Sequence, residues 1–208
     1  METPSHDSLA RFNVSRESLG RLEIYVRLLL DWQKHINLIA PSTIGDVWQR
    51  HVIDSLQLQP LLPAGVGAIA DLGSGAGLPA LILVATQPAT VHMYEANSKK
   101  AAFLSEALRQ MKCAGVVHRE RLEPRKAPLK MPAVQVVTAR AFAPLPLLLD
   151  LAAPFLQSGA IGLFHKGQDI DTELAEAAKL WQITSESIPS VTDPLAVILA
   201  VKEISHVS

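Results

Sequence analysis

One stretch, Ala68 to Ala80, constrains the fold of this chain more than any other. It reads A-I-A-D-L-G-S-G-A-G-L-P-A. The apolar residues Ala68-Ile69-Ala70 lead into Asp71 and Leu72. Three glycines follow at alternate positions, Gly73, Gly75 and Gly77, and a second apolar run continues from Leu78 to Ala85. The pattern describes a buried strand that ends at a sharp turn, with a helix starting just beyond it. Glycine reaches positive φ without strain and lets a ligand come against the backbone where a Cβ would stand in the way. At the carboxyl end of a sheet strand such a loop hosts nucleotide-like ligands. The alternative is a glycine-rich turn without a ligand.

The spacing narrows the choice of ligand. The dinucleotide fingerprint G-x-G-x-x-G, begun at Gly73, requires a glycine where Leu78 stands. No G-x-x-x-x-G-K-[ST] occurs anywhere, which excludes a P-loop. G-x-G-x-G preceded by an acid resembles instead the S-adenosyl-L-methionine loop of Rossmann-like methyltransferases. Asp71, Gly73, Gly75, Gly77 and Leu78 are therefore cofactor-binding candidates.

A chain of 208 residues fits one domain of ordinary size with a small appendage. Aliphatic residues dominate, since 49% of the chain is hydrophobic but only 5% aromatic. That suits a sheet covered by Ala- and Leu-rich helices. The single cysteine, Cys113, excludes an internal disulfide and a cysteine-cluster metal site, and reads as a structural thiol. Met1 to Gly20 is mixed in charge and lacks an apolar h-region, and no run of 18 uncharged apolar residues follows. A cytoplasmic protein is the expectation. Charge is uneven: residues 99–140 carry 10 basic and 3 acidic side chains in a chain whose net charge is −1. This block is either a polyanion footprint or a set of charges spread around a solvated face.

Residues 1–64 read as a helical extension. Leu19, Leu22, Val26, Leu29 and Leu30 recur at three- and four-residue steps, predicting a helix over residues 15–36 with Ser15 as its cap. A second helix is expected over residues 44–58, with Val47, Trp48, His51, Val52, Ser55 and Leu56 inward. Pro60 to Gly65 punctuates the chain, and strands then alternate with helices through residues 65–208. Strands are expected at 66–72, 91–94, 116–118, 134–138, 160–165, 183–188 and 196–202. Helices are expected at 78–86, 98–112, 145–156 and 169–181. Ser190 to Pro194 is too short for a parallel crossover, so the last two strands must be antiparallel. The fold class is α/β: a mostly parallel seven-stranded sheet with an antiparallel carboxy-terminal hairpin, the layout of class I Rossmann-like methyltransferases.

Further candidates stand at strand ends. Glu95 closes the second strand, 18 residues after Gly77, where an acid accepts hydrogen bonds from ribose hydroxyls. Leu122 and Glu123 follow the third strand, where an adenine would lie; a charged surface loop is the alternative. After the fourth strand stands Arg140, able to hold a methionine carboxylate or a phosphate through its planar fork, or to form a structural ion pair. The Asn/Asp-Pro-Pro-aromatic motif of amine methylation and the cysteine nucleophile of cytosine-carbon methylation are both missing there. His51 and Asp54 lie three apart, either facing a pocket or locking their helix onto its neighbour. Lys99, Lys100, Arg121, Arg125, Lys126 and Lys166 are the candidates for phosphate contact. No third residue at suitable spacing supports a metal site.

Taken together, D-L-G-S-G-A-G-L-P at 71–79, Y-E-A-N-S-K-K-A-A-F-L at 94–104, R-L-E at 121–123, T-A-R-A at 138–141 and H-K-G at 165–167 resemble the small-subunit rRNA guanine-N7 methyltransferases (RsmG/GidB). N-L-I at 37–39 and H-V-I-D-S-L at 51–56 match the amino-terminal part of that family, and the resemblance covers about residues 20–205. Leu78, Ala80 and Gln135 depart from its usual phenylalanine, glycine and aspartate. The resemblance implies methyl transfer from S-adenosyl-L-methionine to N7 of a guanine in 16S rRNA by direct attack of the base nitrogen. The implied partner is 16S rRNA or the small ribosomal subunit, with a monomeric enzyme and neither membrane nor metal. Arg140, His51 and Asp54 would then position the reacting groups. A methyltransferase of another RNA or of a small molecule, and a non-catalytic RNA-binding assembly factor, are the competing readings.

Overall fold

A computed structural model describes residue 9 and residues 11–207. The stretch behind the cytoplasmic expectation, residues 1–20, lies partly outside the described residues. Among the described residues no helix is long and apolar enough to cross a membrane.

Helix α1 spans Arg16–Gln33, and the Ser15 Oγ accepts the Ser18 amide at 3.1 Å as its cap. Such a cap contributes about 1 kcal/mol. Leu22, Tyr25, Val26 and Leu29 on its inner face are buried. Beyond it the backbone does not form the single helix expected over 44–58. It winds as a 3₁₀ turn over Pro41–Asp46, a π turn over Trp48–Ile53 and a short α turn over Asp54–Leu56. The expected stripe of Val47, Trp48, His51, Val52, Ser55 and Leu56 is nonetheless buried. Ile53 is buried as well, next to Val52, so the inward face is broader than a 3.6-residue period provides. The wider π turn accommodates the extra inward residue.

The sheet comprises β1 (Ala68–Leu72), β2 (Thr90–Tyr94), β3 (Gly115–His118), β4 (Val136–Arg140), β5 (Ile161–Lys166), β6 (Trp181–Pro189) and β7 (Val197–His206). Their order is β3-β2-β1-β4-β5-β7-β6. All neighbours are parallel except β7, which runs antiparallel to both β5 and β6. The seven-stranded sheet and its antiparallel hairpin thus follow the sequence expectation. Between the strands lie α2 (Ala80–Thr86), α3 (Ser98–Met111), α4 (Leu145–Leu156) and α5 (Ile170–Ala177).

Alternation along β1 sorts the layers. Ile69 joins a core with α1, the 41–56 passage, α2 and α3, whereas Ala70 and Leu72 join a second core with α4 and α5. The amino-terminal helical region therefore shares its core with one face of the sheet. Each fully buried Leu or Val there contributes about 1.5–3 kcal/mol relative to exposure.

Several elements differ from their expected bounds by two to four residues, and two of these shifts move a notable side chain. β4 lies two residues later than 134–138, which places Arg140 inside the strand, paired with His165 on β5. Gln135, just before it, accepts the Ala68 and Gly67 amides at 2.9 and 3.3 Å and so pins the start of β1. α5 ends before Trp181, which opens β6, is buried, and donates its indole N–H to Asp150. Burial of this large ring between sheet and α4 outweighs the helical signal of the preceding acids.

Candidate functional site

The carboxyl ends of β1, β2 and β4 open into a cleft of about 900 Å³. Its floor is the glycine loop between β1 and α2. Gly73 has φ +66° and Gly75 φ +53°. A Cβ at Gly73 would collide with the Phe142 ring, and one at Gly75 would stand in open space with only the Gly73 carbonyl oxygen nearby, at 3.7 Å. Gly73 thus serves packing, and Gly75 leaves room for a ligand against the backbone. The Tyr25 hydroxyl, buried on α1, donates to the Ala76 carbonyl at 2.9 Å and ties the amino-terminal helix to this loop.

Two acids organise the floor. Asp71 is fully buried, its Oδ1 accepts the Thr138 hydroxyl at 2.6 Å, and its Oδ2 has no partner. Burial pushes its pKa up to about 7. Glu95 lies just beyond β2 at the edge of the cleft. Its Oε2 accepts the Gly75 amide at 2.9 Å and its Oε1 accepts the Asn97 amide at 2.7 Å. Each oxygen keeps a further lone pair for a ligand hydroxyl. The carboxylate therefore shapes the loop and remains an acceptor.

The opposite wall is built around Arg140. Its Nε lies 3.1 Å from Asp54 Oδ2, and its Nη2 donates to the Arg50 carbonyl and to His51 Nδ1, both at 2.9 Å. Burial lowers the guanidinium's pKa, opposed by Asp54. A guanidinium only donates, so His51 Nδ1 accepts and the imidazole proton sits on Nε2, 2.8 Å from Thr43 Oγ1. Burial and the neighbouring Arg140 push the His51 pKa down to about 4. A neutral imidazole with its lone pair committed to Arg140 is not available as a general base. Asp54 is engaged further: its Oδ1 accepts Thr192 Oγ1 at 2.6 Å and Gln57 Nε2 at 2.8 Å, and its carbonyl accepts His165 Nε2 at 2.9 Å.

Of the sequence candidates, His51, Gly73, Gly75, Leu78, Glu95, Lys100, Arg121, Leu122, Glu123 and Arg140 line this one cleft. Asp54 and Asp71 lie behind its walls. Gly77, with φ +79°, packs on Leu81. Lys99 is exposed in the first turn of α3. Arg125 and Lys126 pair with Asp150 and Glu123, and Lys166 is buried against Glu173. Leu38 and Ile39 of the N-L-I segment also line the cleft, as do Ala40, Thr43, Arg50 and Phe142, which the sequence did not single out. The Leu38 and Ile39 amides both donate to Gln33 Oε1, at 2.8 and 2.9 Å, so one glutamine folds the segment over the cleft. Among the described residues no group of three or more His, Cys, Asp or Glu side chains could hold a metal ion.

Residues 18–197 match the family model for rRNA small subunit methyltransferase G, GidB. The chain is 45% identical over 198 residues to ribosomal RNA small subunit methyltransferase G of Paramagnetospirillum magneticum, covering 95% of each chain. To the protein of the same name from Rhodospirillum rubrum it is 48% identical over 191 residues, covering 92% of this chain and 93% of that one. Among solved structures, a fibrillarin/Nop5p complex superposes with a TM-score of 0.58 at 12% identity, over 76% of this chain and 83% of the other. A SAM-dependent methyltransferase from Aquifex aeolicus gives 0.52 at 15% identity, over 79% of this chain and 99% of that one. These two share the fold. The chain belongs to the rRNA small subunit methyltransferase G family.

Proposed function

We propose that this protein transfers a methyl group from S-adenosyl-L-methionine to N7 of a guanine in 16S rRNA, in the decoding-region loop of the small subunit. Family membership supports the methyltransferase reading and its rRNA substrate. The observation that carries the chemistry is a cleft with an acceptor carboxylate, Glu95, beside an open glycine loop, and a lining histidine, His51, whose lone pair is committed to Arg140.

When bound, S-adenosyl-L-methionine supplies an electrophilic methyl on a positively charged sulfur. Glu95 would hold the ribose hydroxyls, Leu122 and Glu123 would flank the adenine, and Gly75 leaves space for the backbone approach. Arg140 would face the methionine end or the target base. Guanine N7 has an in-plane lone pair and no proton. In the transfer the sulfur–methyl bond breaks, the nitrogen–methyl bond forms, the sulfur keeps the electron pair, and the base gains the positive charge. Nothing has to be deprotonated, which suits a site whose histidine is neutral and engaged. Alignment of the two reactants then carries the rate, a contribution on the order of 7–11 kcal/mol when the geometry is right. Lys100 and Arg121, which line the cleft, and Lys99 in the first turn of α3 would contact phosphates, so binding should weaken with salt.

Mapping of rRNA from cells lacking this protein tests the proposal. Loss of one N7-methylguanine in 16S rRNA is expected. An unchanged set of N7-methylguanines would contradict it.

A further inference from the structure

A second cavity, of about 360 Å³, adjoins the cleft at the carboxyl ends of β4 and β5. Arg140, Ala141, Phe142 and Ala143 line both spaces and form the partition between them. Phe142 is the one aromatic residue of that partition and is 38% exposed. One edge of its ring seats on the Gly73 backbone, where no side chain larger than hydrogen fits. Ala141, immediately before it, takes φ +49°, a left-handed conformation strained for a residue with a Cβ. The chain is thus bent, against its own preference, so that the ring sits between the glycine loop and the second cavity.

A rigid, half-exposed ring at this place offers a flat surface to a planar base drawn out of an RNA strand. Resting on the reading of the cleft as an rRNA guanine methyltransferase, we propose that Phe142 is the stacking platform that positions the target guanine in the second cavity, on the side of the partition turned away from the glycine loop. Stacking is tolerant of base identity, because every base has a π face. Phe142 therefore places the base, and contacts to the base edge choose it.

The test uses the full chain, S-adenosyl-L-methionine and small subunits from cells lacking the protein, with Phe142→Leu, Phe142→Ala and Phe142→Trp. For Phe142→Leu and Phe142→Ala, kcat/KM toward the subunit should fall about 10- to 100-fold. Phe142→Trp should stay within about 2-fold of the wild type, as should the cofactor affinity of Phe142→Leu measured by calorimetry. The residual product should still be 7-methylguanosine alone. Wild-type kcat/KM for Phe142→Leu would overturn the inference. So would an equal loss of cofactor affinity and kcat/KM, which would make the ring a cover for Gly73. A wild-type protein that methylates no rRNA would overturn the underlying function, an outcome separate from a defect confined to the variants.

Discussion

The two walls of the cleft are built by opposite means. The glycine-loop wall is contiguous: β1, three glycines and α2 set its shape, and Glu95 from the neighbouring strand end fastens it through the Gly75 amide. The Arg140 wall is assembled from far apart. Arg50, His51 and Asp54 come from the 41–56 passage, Arg140 from β4, His165 from β5 and Thr192 from the last turn. The first wall needs only local backbone geometry. The second exists once the helical region has closed on the sheet, and it holds that region in place.

Asp54→Ala should produce the largest effect. It leaves the largely buried Arg140 guanidinium without its carboxylate, and breaking a buried pair costs up to about 3–5 kcal/mol. Urea denaturation would measure it, and a loss below about 1 kcal/mol would remove the distinction between the walls.

Their pH signatures should also have opposite signs. His51 falls from an ordinary 6.5 to about 4 in the fold, so the unfolded chain binds more protons between those values. Its contribution is complete above about 6.5 and is lost as pH drops toward 4. Asp71 rises from 3.8 to about 7, so the folded chain binds more protons there, and its contribution declines as pH rises from 3.8 through 7. Urea midpoints across this range should show His51→Gln flattening the rising limb and Asp71→Asn the falling one, each by up to about 1.4 kcal/mol per pH unit. Unaltered slopes in both variants would contradict the assignment.

Glu95→Ala should weaken S-adenosyl-L-methionine binding about 100-fold, with less loss of stability than Asp54→Ala, because it removes charge-assisted bonds that shape the loop. Calorimetry would reveal it; unchanged affinity would place the ligand elsewhere. Gln33→Ala should have the smallest effect, about 1–2 kcal/mol, confined to the 38–39 segment. Faster hydrogen exchange at the Leu38 and Ile39 amides would report it, and unchanged protection would show the segment held by other contacts.

The contrast between the walls also explains what the sequence makes legible. Gly73, Gly75 and Glu95 were identifiable because alternating glycines after an apolar strand and an acid at the next strand's end have a local meaning. The mostly parallel α/β class and the final hairpin followed from the strand–helix alternation and from the short Ser190–Pro194 link. The 41–56 passage was not legible as it is. Its apolar stripe fits a helix, and the change from 3₁₀ to π winding arises from packing against the sheet. Arg140 stood out by type and position, yet its partners Arg50, His51 and Asp54 lie far from it in sequence, in the 41–56 passage. Phe142 gave no signal, since its meaning depends on Gly73 lying beneath its ring. Lys166 read as a rim lysine, but Glu173, one turn into α5, draws it inside.

The most direct measurement is nucleoside mass spectrometry of 16S rRNA after purified protein and isotope-labelled S-adenosyl-L-methionine act on small subunits from cells lacking the protein. The label should appear in 7-methylguanosine, approaching one methyl group per subunit. Label in a ribose, an exocyclic amine or another base, or no label in rRNA at all, would contradict transfer to guanine N7.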